Sequence, residues 1–178
     1  QLDSKARGFT YREEDAPLDM RMDSRQELTA AKILNEYEET EISRIISQYG
    51  EEKFAKKIAK KVIENRPIHT SGELIDLIRQ AIPHKFQRLT HPAKRTFQAL
   101  RMEVNKELDQ LKIALDESVH LLAPGGRVLV LSYHSGEDII VKKTFKKYFD
   151  KQMVTKDGRL LPTVEQVEDK KSLENKLN

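Results

Sequence analysis

One stretch, Leu121–Lys142, constrains the fold more than any other. It reads LLAPGGRVLVLSYHSGEDIIVK. Pro124, Gly125 and Gly126 break the chain, and Val128, Leu129, Val130 and Leu131 then form a short, nearly unbroken apolar run. A run so rich in β-branched residues is the pattern of a strand buried on both faces of a parallel sheet. A polar cluster follows, Ser132 to Asp138, and beyond it Ile139, Ile140, Phe145 and Phe149 recur at helical spacing. Ligands of open α/β sheets bind beyond the carboxyl ends of the strands, so the polar tip predicts an active-site edge. A parallel strand also needs neighbours. No second strand of this kind can be placed in the chain. The sequence therefore predicts either part of a larger α/β protein or an isolated strand in a helical domain.

Helical patterns dominate the rest. Residues 1–23 show no sustained period. There Pro17–Asp23 alternates apolar and charged residues, as a short edge strand or an extended loop would, with Arg21 between Asp19 and Asp23. Leu28, Ala31, Ile33 and Leu34 mark a short helix capped by Ser24 or a nearby polar residue. Thr40 is placed to cap a second, carrying Ile42, Ile45 and Ile46 and stopped by Gly50. Residues 51–66 predict a third. Phe54, Ala55, Ile58, Ala59, Val62 and Ile63 share one face, and Lys53, Lys56, Lys57, Lys60 and Lys61 the other. That basic face reads either as solvated surface or as a stripe that tracks phosphates. Ser71 opens a fourth helix, with Glu73 in its first turn, and Pro83 closes it.

From Pro92 onward the strongest period appears. Ala93, Phe97, Leu100, Val104, Leu108, Leu111, Leu115, Val119 and Leu122 step by three or four. The spacing predicts one helix of about 30 residues, roughly 45 Å long. Its first turns carry Lys94, Arg95 and Arg101 and its second half is acidic, so the basic end is the expected partner surface. His84 and His91 lack the spacing and the carboxylates of a metal site, and none is expected. Residues 151–178 form a charged tail.

Charge and composition then narrow the class. Charged residues make up 34% of the 178, which favours amphipathic helices over a compact β fold. The net charge of +3 permits a nucleic-acid partner without demanding one. With no Cys, disulfides, thiolate catalysis and Cys-ligated zinc are excluded. No apolar run reaches membrane-spanning length. A soluble, cytoplasmic chain is expected, with an organellar setting also open.

Four blocks together carry a family likeness: QLDSKARGFTYREEDAPLDMRMD, YGEEKFAKKIA, HPAKRTFQALRMEVNKEL and LLAPGGRVLVLSYHSGEDIIVK. Over residues 1–150 they resemble the S-adenosylmethionine-dependent small-subunit ribosomal RNA (cytosine-N4)-methyltransferases of the RsmH type. The resemblance implies an α/β fold, the C-terminal part of a Rossmann-like class I methyltransferase domain interrupted by a mainly helical insertion. Residues 1–23 would end the first half of that domain, and 24–90 would form the insertion. Residues 91–150 would supply the return helix, a late core strand and its following helix. Family members carry the glycine-rich cofactor loop in roughly a hundred earlier residues. The resemblance thus leaves Gln1 as this chain's one contact to S-adenosyl-L-methionine. It implies small-subunit ribosomal RNA or the small subunit itself as partner, with a homodimer as one possible assembly and no membrane. Where relatives usually place a large apolar residue, this chain has Gly136.

Methylation of the exocyclic amine of cytosine needs an oriented, unstacked base and a proton acceptor. His134 is the favoured site-lining group, with Asp138 to orient it or cap the helix and Ser135 beside it. A purely structural role is the alternative: Ser135 as N-cap with Asp138 three residues on is close to a capping box. Arg21, Lys57, Lys61, Lys94, Arg95 and Arg101 are the candidate RNA contacts. Two other readings remain. One is a non-catalytic basic helical module that binds RNA or the ribosome. The other is a hydrolase using Ser135 and His134, disfavoured because adjacent residues rarely converge on one atom and no nucleophile elbow is present.

Overall fold

The computed structural model describes residues 7–88, 91–123 and 126–149. Gln1 and the tail from residue 150 lie outside them. The described chain is helical: α1 (Ala30–Glu36), α2 (Glu39–Gly50), α3 (Ala55–Glu64), α4 (Ser71–Ala81), α5 (His84–Gln87), α6 (Lys94–Asn105), α7 (Glu107–His120) and α8 (Ser135–Phe149). It divides into two compact units, one up to Glu107 and one from Leu108.

The first unit has a well-filled core. α2 lies centrally, packed on α3 and α6. Leu18, Met20, Ile33, Leu34, Ile42, Ile45, Ile46, Ile58, Leu74, Ile75 and Ile78 are all buried. Gly50 serves packing more than chain termination. It remains the last residue of α2, and Glu51 takes the left-handed turn at φ 50°. A Cβ on Gly50 would stand 2.5 Å from the Arg95 carbonyl oxygen, so only glycine lets the α6 backbone approach this closely.

Residues 7–23 form neither a paired strand nor a free loop. One isolated bridge joins Pro17 to Thr70. The main-chain carbonyls of Leu18 and Asp19 accept from the Ala31 and Ala30 amides, and those of Ala16 and Glu14 from the Ser71 and Gly72 amides. One extended segment thereby satisfies the otherwise orphaned first N–H groups of both α1 and α4. Side chains complete the caps. Thr29 accepts from the Lys32 amide at α1, and Thr70 with Glu73 forms a reciprocal capping box at α4. A polar residue near Ser24 serves as the first cap, and the predicted Thr40 cap is not used. Thr29 caps α1, and Glu38 precedes α2 without a side-chain cap bond.

Long polar side chains close several helix C-termini from elsewhere in the unit. Arg66 donates to the carbonyls of Leu34 (2.6 Å) and Tyr37 after α1. Arg95 reaches the Glu51 carbonyl after α2 (3.3 Å), and the Gln87 amide reaches those of Arg79 and Ile82 at the end of α4 (2.8 and 2.5 Å).

One expectation fails. The long helix from Pro92 is interrupted. Lys106 adopts φ 49°, its N–H turns back to the Glu103 and Met102 carbonyls, and α7 starts afresh at Glu107. Left-handed backbone is unfavourable for lysine, and neighbouring contacts hold it. Arg101 clamps Glu107 across the break through two contacts of 2.7 and 3.1 Å. Asn105, just before it, ties α6 to the leading segment. Its Nδ2 donates to the Met20 and Arg101 carbonyls (2.7 and 2.8 Å), and its Oδ1 accepts from the Met22 amide (2.7 Å). Met20 is itself left-handed at φ 58°, with a fully buried side chain.

Residues 126–133 have no regular secondary structure, and no paired strand occurs among the described residues. Burial alternates instead. Val128, Val130 and Ser132 are half-buried, while Leu129 and Leu131 are 66% and 59% exposed. A β ladder requires a partner, and an apolar run cannot make one alone.

Candidate functional site

The polar tip after Leu131 folds into the start of α8. His134 is the residue just before that helix, and its Nδ1 accepts from the Glu137 amide at 3.3 Å. Its Nε2 lies 3.3 Å from the Glu137 carboxylate. The other oxygen of that carboxylate accepts from the Tyr133 amide at 2.8 Å. Together these contacts resemble a capping box displaced by one residue from the expected Ser135 and Asp138, with the Glu137 carboxylate reaching the Tyr133 amide rather than that of His134. Because Nδ1 accepts, the imidazole carries its proton on Nε2, which donates to Glu137. Asp138 engages a different partner. Its carboxylate pairs with Lys142 one turn on, at 3.1 Å. Ser135 is exposed on the first turn. A Cβ at Gly136 would meet the His134 ring at 3.3 Å, so the absent side chain leaves the imidazole room. The tip therefore presents a hydrogen-bonded imidazole with two carboxylates and a serine hydroxyl within five consecutive residues.

The second unit has a thin interior. Leu115, Val119, Thr144 and Tyr148 are buried, whereas Ile113, Leu121, Leu129, Leu131, Tyr133 and Ile139 are each at least half exposed. α7 and α8 are joined chiefly by a polar knot. The Tyr148 hydroxyl donates to Asp116 (2.9 Å), Lys147 pairs with the same oxygen (3.0 Å), and His120 packs edge-on against Tyr148. The Lys147 hydrogen bond first, with the Tyr148 bond after it, holds the Asp116 carboxyl below its ordinary value of 3.8, against the opposing effect of burial. A depressed carboxylate contributes stability that is complete above its ordinary value and is lost as pH falls through the folded one. The α7–α8 contact should therefore be intact above about pH 4 and loosen as pH falls further. Asp116→Asn should flatten that dependence, as followed by helical circular dichroism against pH. A variant with an unchanged acid limb would show that the knot does not hold the pair.

The candidate RNA contacts fall into two groups. Arg21 and Arg101 are already engaged. Arg21 grips Asp19 with two bonds (2.7 and 2.9 Å) and donates to the Ser24 and Gln26 carbonyls, and its hydrogen bond is the main reason the Asp19 carboxyl is lowered. Arg101 is held by Glu107. Lys57, Lys94 and Arg95 are exposed, Lys57 lying 5.9 Å over the Phe54 ring, while the half-buried Lys61 sits 3.6 Å from Glu64. Among the described residues no three His, Asp or Glu side chains gather as metal ligands would, and no helix is long and apolar enough to cross a membrane.

The cofactor that the resemblance implies has little to hold it among these side chains. Gln1 lies outside the described residues. The two buried hydroxyls without partners, Ser71 and Thr96, sit on α4 and α6 of the helical unit and not at the polar tip. The described residues thus offer no built cradle for an adenosyl group.

The four sequence blocks agree with the comparisons. The chain belongs to the MraW methylase family, whose model matches residues 1–176. It is 54% identical over 150 residues to a protein of Clostridium botulinum named ribosomal RNA small subunit methyltransferase H, covering 83% of this chain and 48% of that protein. It is likewise 54% identical over 151 residues to ribosomal RNA small subunit methyltransferase H 2 of Agathobacter rectalis, at the same coverage. A Mesoplasma florum protein with the first of these names is 51% identical over 150 residues. The chain spans about half the length of these curated relatives.

Proposed function

We propose that this chain supplies the acceptor-side edge and the RNA-holding helical unit of an S-adenosylmethionine-dependent methyltransferase acting on the N4 amine of a cytidine in small-subunit ribosomal RNA. The observation that carries the reading is family membership over nearly the whole chain, joined to the names of relatives about half identical to it. The exposed apolar side chains of residues 129–139 support its structural half. Surface of this kind marks contact with further protein, and a late strand of a Rossmann-like sheet would use Leu129 and Leu131 in that way. S-adenosylmethionine, when bound, supplies an electrophilic methyl carbon and a thioether leaving group.

The residues of this chain act on the nucleophile. The cytosine amine is weak because its lone pair is conjugated with the ring, so it must be oriented in line and lose a proton as the new bond forms. Ser132, His134 and Ser135 stand at the tip where such a base would be held. His134 can receive the proton at Nδ1 by releasing the Glu137 amide, and the Glu137 carboxylate at Nε2 then stabilises the imidazolium.

Substitution of His134 by Asn tests this role without dismantling the tip, because Asn remains a good N-cap. In the intact protein, tritium transfer from labelled cofactor to small-subunit RNA should fall about a hundredfold or more, with thermal stability retained. Normal turnover by His134→Asn would restrict the imidazole to capping. Absence of N4-methylcytidine from the wild-type product would overturn the reaction itself.

A further inference from the structure

The helical unit holds one exposed aromatic ring whose setting the packing does not account for. Phe86, on the single turn α5, is 48% exposed. Its ring lies 5.2 Å from that of the half-buried Phe54 at an angle of 52°, and the Lys85 ammonium stands 5.0 Å from its centroid. Lys57 stands 5.9 Å from the Phe54 ring, and Arg88 is exposed just after α5. Two tilted rings in contact thus each carry a lysine ammonium near the ring. Arg95 adds a fourth cation, reaching the Glu51 carbonyl in the turn that leads to Phe54.

Both rings are held in place. The Glu52 carboxylate, 7% exposed, accepts from the Phe54 amide at 2.9 Å and sets the start of α3. The Phe86 amide donates to the Pro83 carbonyl, and the Gln87 side chain ties α5 to the end of α4. A platform fixed in advance loses little entropy when a ligand settles on it.

We infer that Phe86, backed by Phe54 and flanked by Lys57 and Lys85, is a stacking site for an unpaired base of single-stranded RNA. A flat ring offers its face to any base, and cations at its rim meet the phosphates on either side. Duplex RNA buries its base faces and cannot use such a ring. The flexible Lys85 stem lets its ammonium swing from the ring to a phosphate as a base arrives. This inference rests on the RNA-binding reading above and adds to it where, and in what form, the strand is held.

The chain has no Trp, so Phe86→Trp in the full chain installs a sole indole at the site. The variant is titrated with a fluorescein-labelled, unstructured RNA of about ten nucleotides, within the usual footprint of such sites. Indole emission should fall by half or more, with the same midpoint as the RNA anisotropy. A hairpin duplex of equal length should leave emission unchanged. Phe86→Leu keeps an apolar contact with Phe54 but removes the π face, and it should weaken single-strand affinity about tenfold with an unchanged melting temperature. RNA that binds by anisotropy while the indole stays bright, or that binds Phe86→Leu as well as wild type, would sink the stacking site and leave the broader RNA reading standing. No anisotropy change for any RNA would remove both.

Discussion

Replacing Asn105 by Ala should remove about 2–4 kcal/mol from the stability of the helical unit, a large share of what a domain of this size possesses. The amide joins the main chain of Met20 and Met22 to α6. The Met20 carbonyl follows a fully buried side chain at φ 58°, a geometry unfavourable for methionine that persists because its surroundings enforce it. Removing the Nδ2 donor leaves that oxygen with no partner among the described residues. The Gln26 amide, whose contacts are the Val104 carbonyl and Asn105 Oδ1, loses one of the two. In urea the midpoint should shift to lower concentration with an unchanged slope. Asn105→Asp separates the two halves of the effect. It keeps an acceptor for the Met22 amide but sets a carboxylate against two carbonyl oxygens, so it should lose nearly as much, and more as pH rises past the carboxylate range. A loss below about 0.5 kcal/mol for the alanine variant would place Asn105 among ordinary surface residues.

The second large effect is on RNA affinity and its response to salt. Neutralising about four phosphates of a single strand gives a slope near −3 in log affinity against log salt, so binding should weaken about fiftyfold between 50 and 200 mM. Lys57, Lys85 and Lys94 are the exposed cations for this role, with Arg95 beside them. Lys94→Gln should reduce the slope by about one while leaving stability within roughly 0.5 kcal/mol. Arg21→Gln and Arg101→Gln should do the reverse. Their guanidinium groups hold Asp19, Glu107 and backbone carbonyls, so their loss should appear in the urea midpoint and scarcely in the salt slope. A flat salt response, or equal slopes for all three variants, would dissolve the distinction between binding and bracing cations.

That distinction marks where sequence reading reached its limit. The helices of the first unit were legible because Ile42, Ile45 and Ile46, or Leu74, Ile75 and Ile78, repeat with the helical period, and burial follows that period. The break at Lys106 was not. The apolar period continues through it, and neither Gly nor Pro announces a left-handed residue; the contacts that hold it come from Asn105 and Arg101. The roles of Arg21, Arg66 and Asn105 depend on partners fixed only by the tertiary fold, some of them 85 residues away. At the polar tip the residue types were legible and the pairing was not. Ser135 is the cap the sequence offers, and one residue of helix start decides that Glu137 and not Asp138 meets the imidazole. Val128–Leu131 reads as a strand because apolar pattern is a local property, while a ladder is a relation between segments.

The bond between the Met22 amide and Asn105 has a geometric consequence of its own. All of α1 to α5, and α6 to its last residue, lie between two points of the chain 2.7 Å apart. A segment that leaves and returns at one place can be carried on the surface of a host fold without stretching it, much as a loop is, and lengthening or shortening it need not displace what it is attached to.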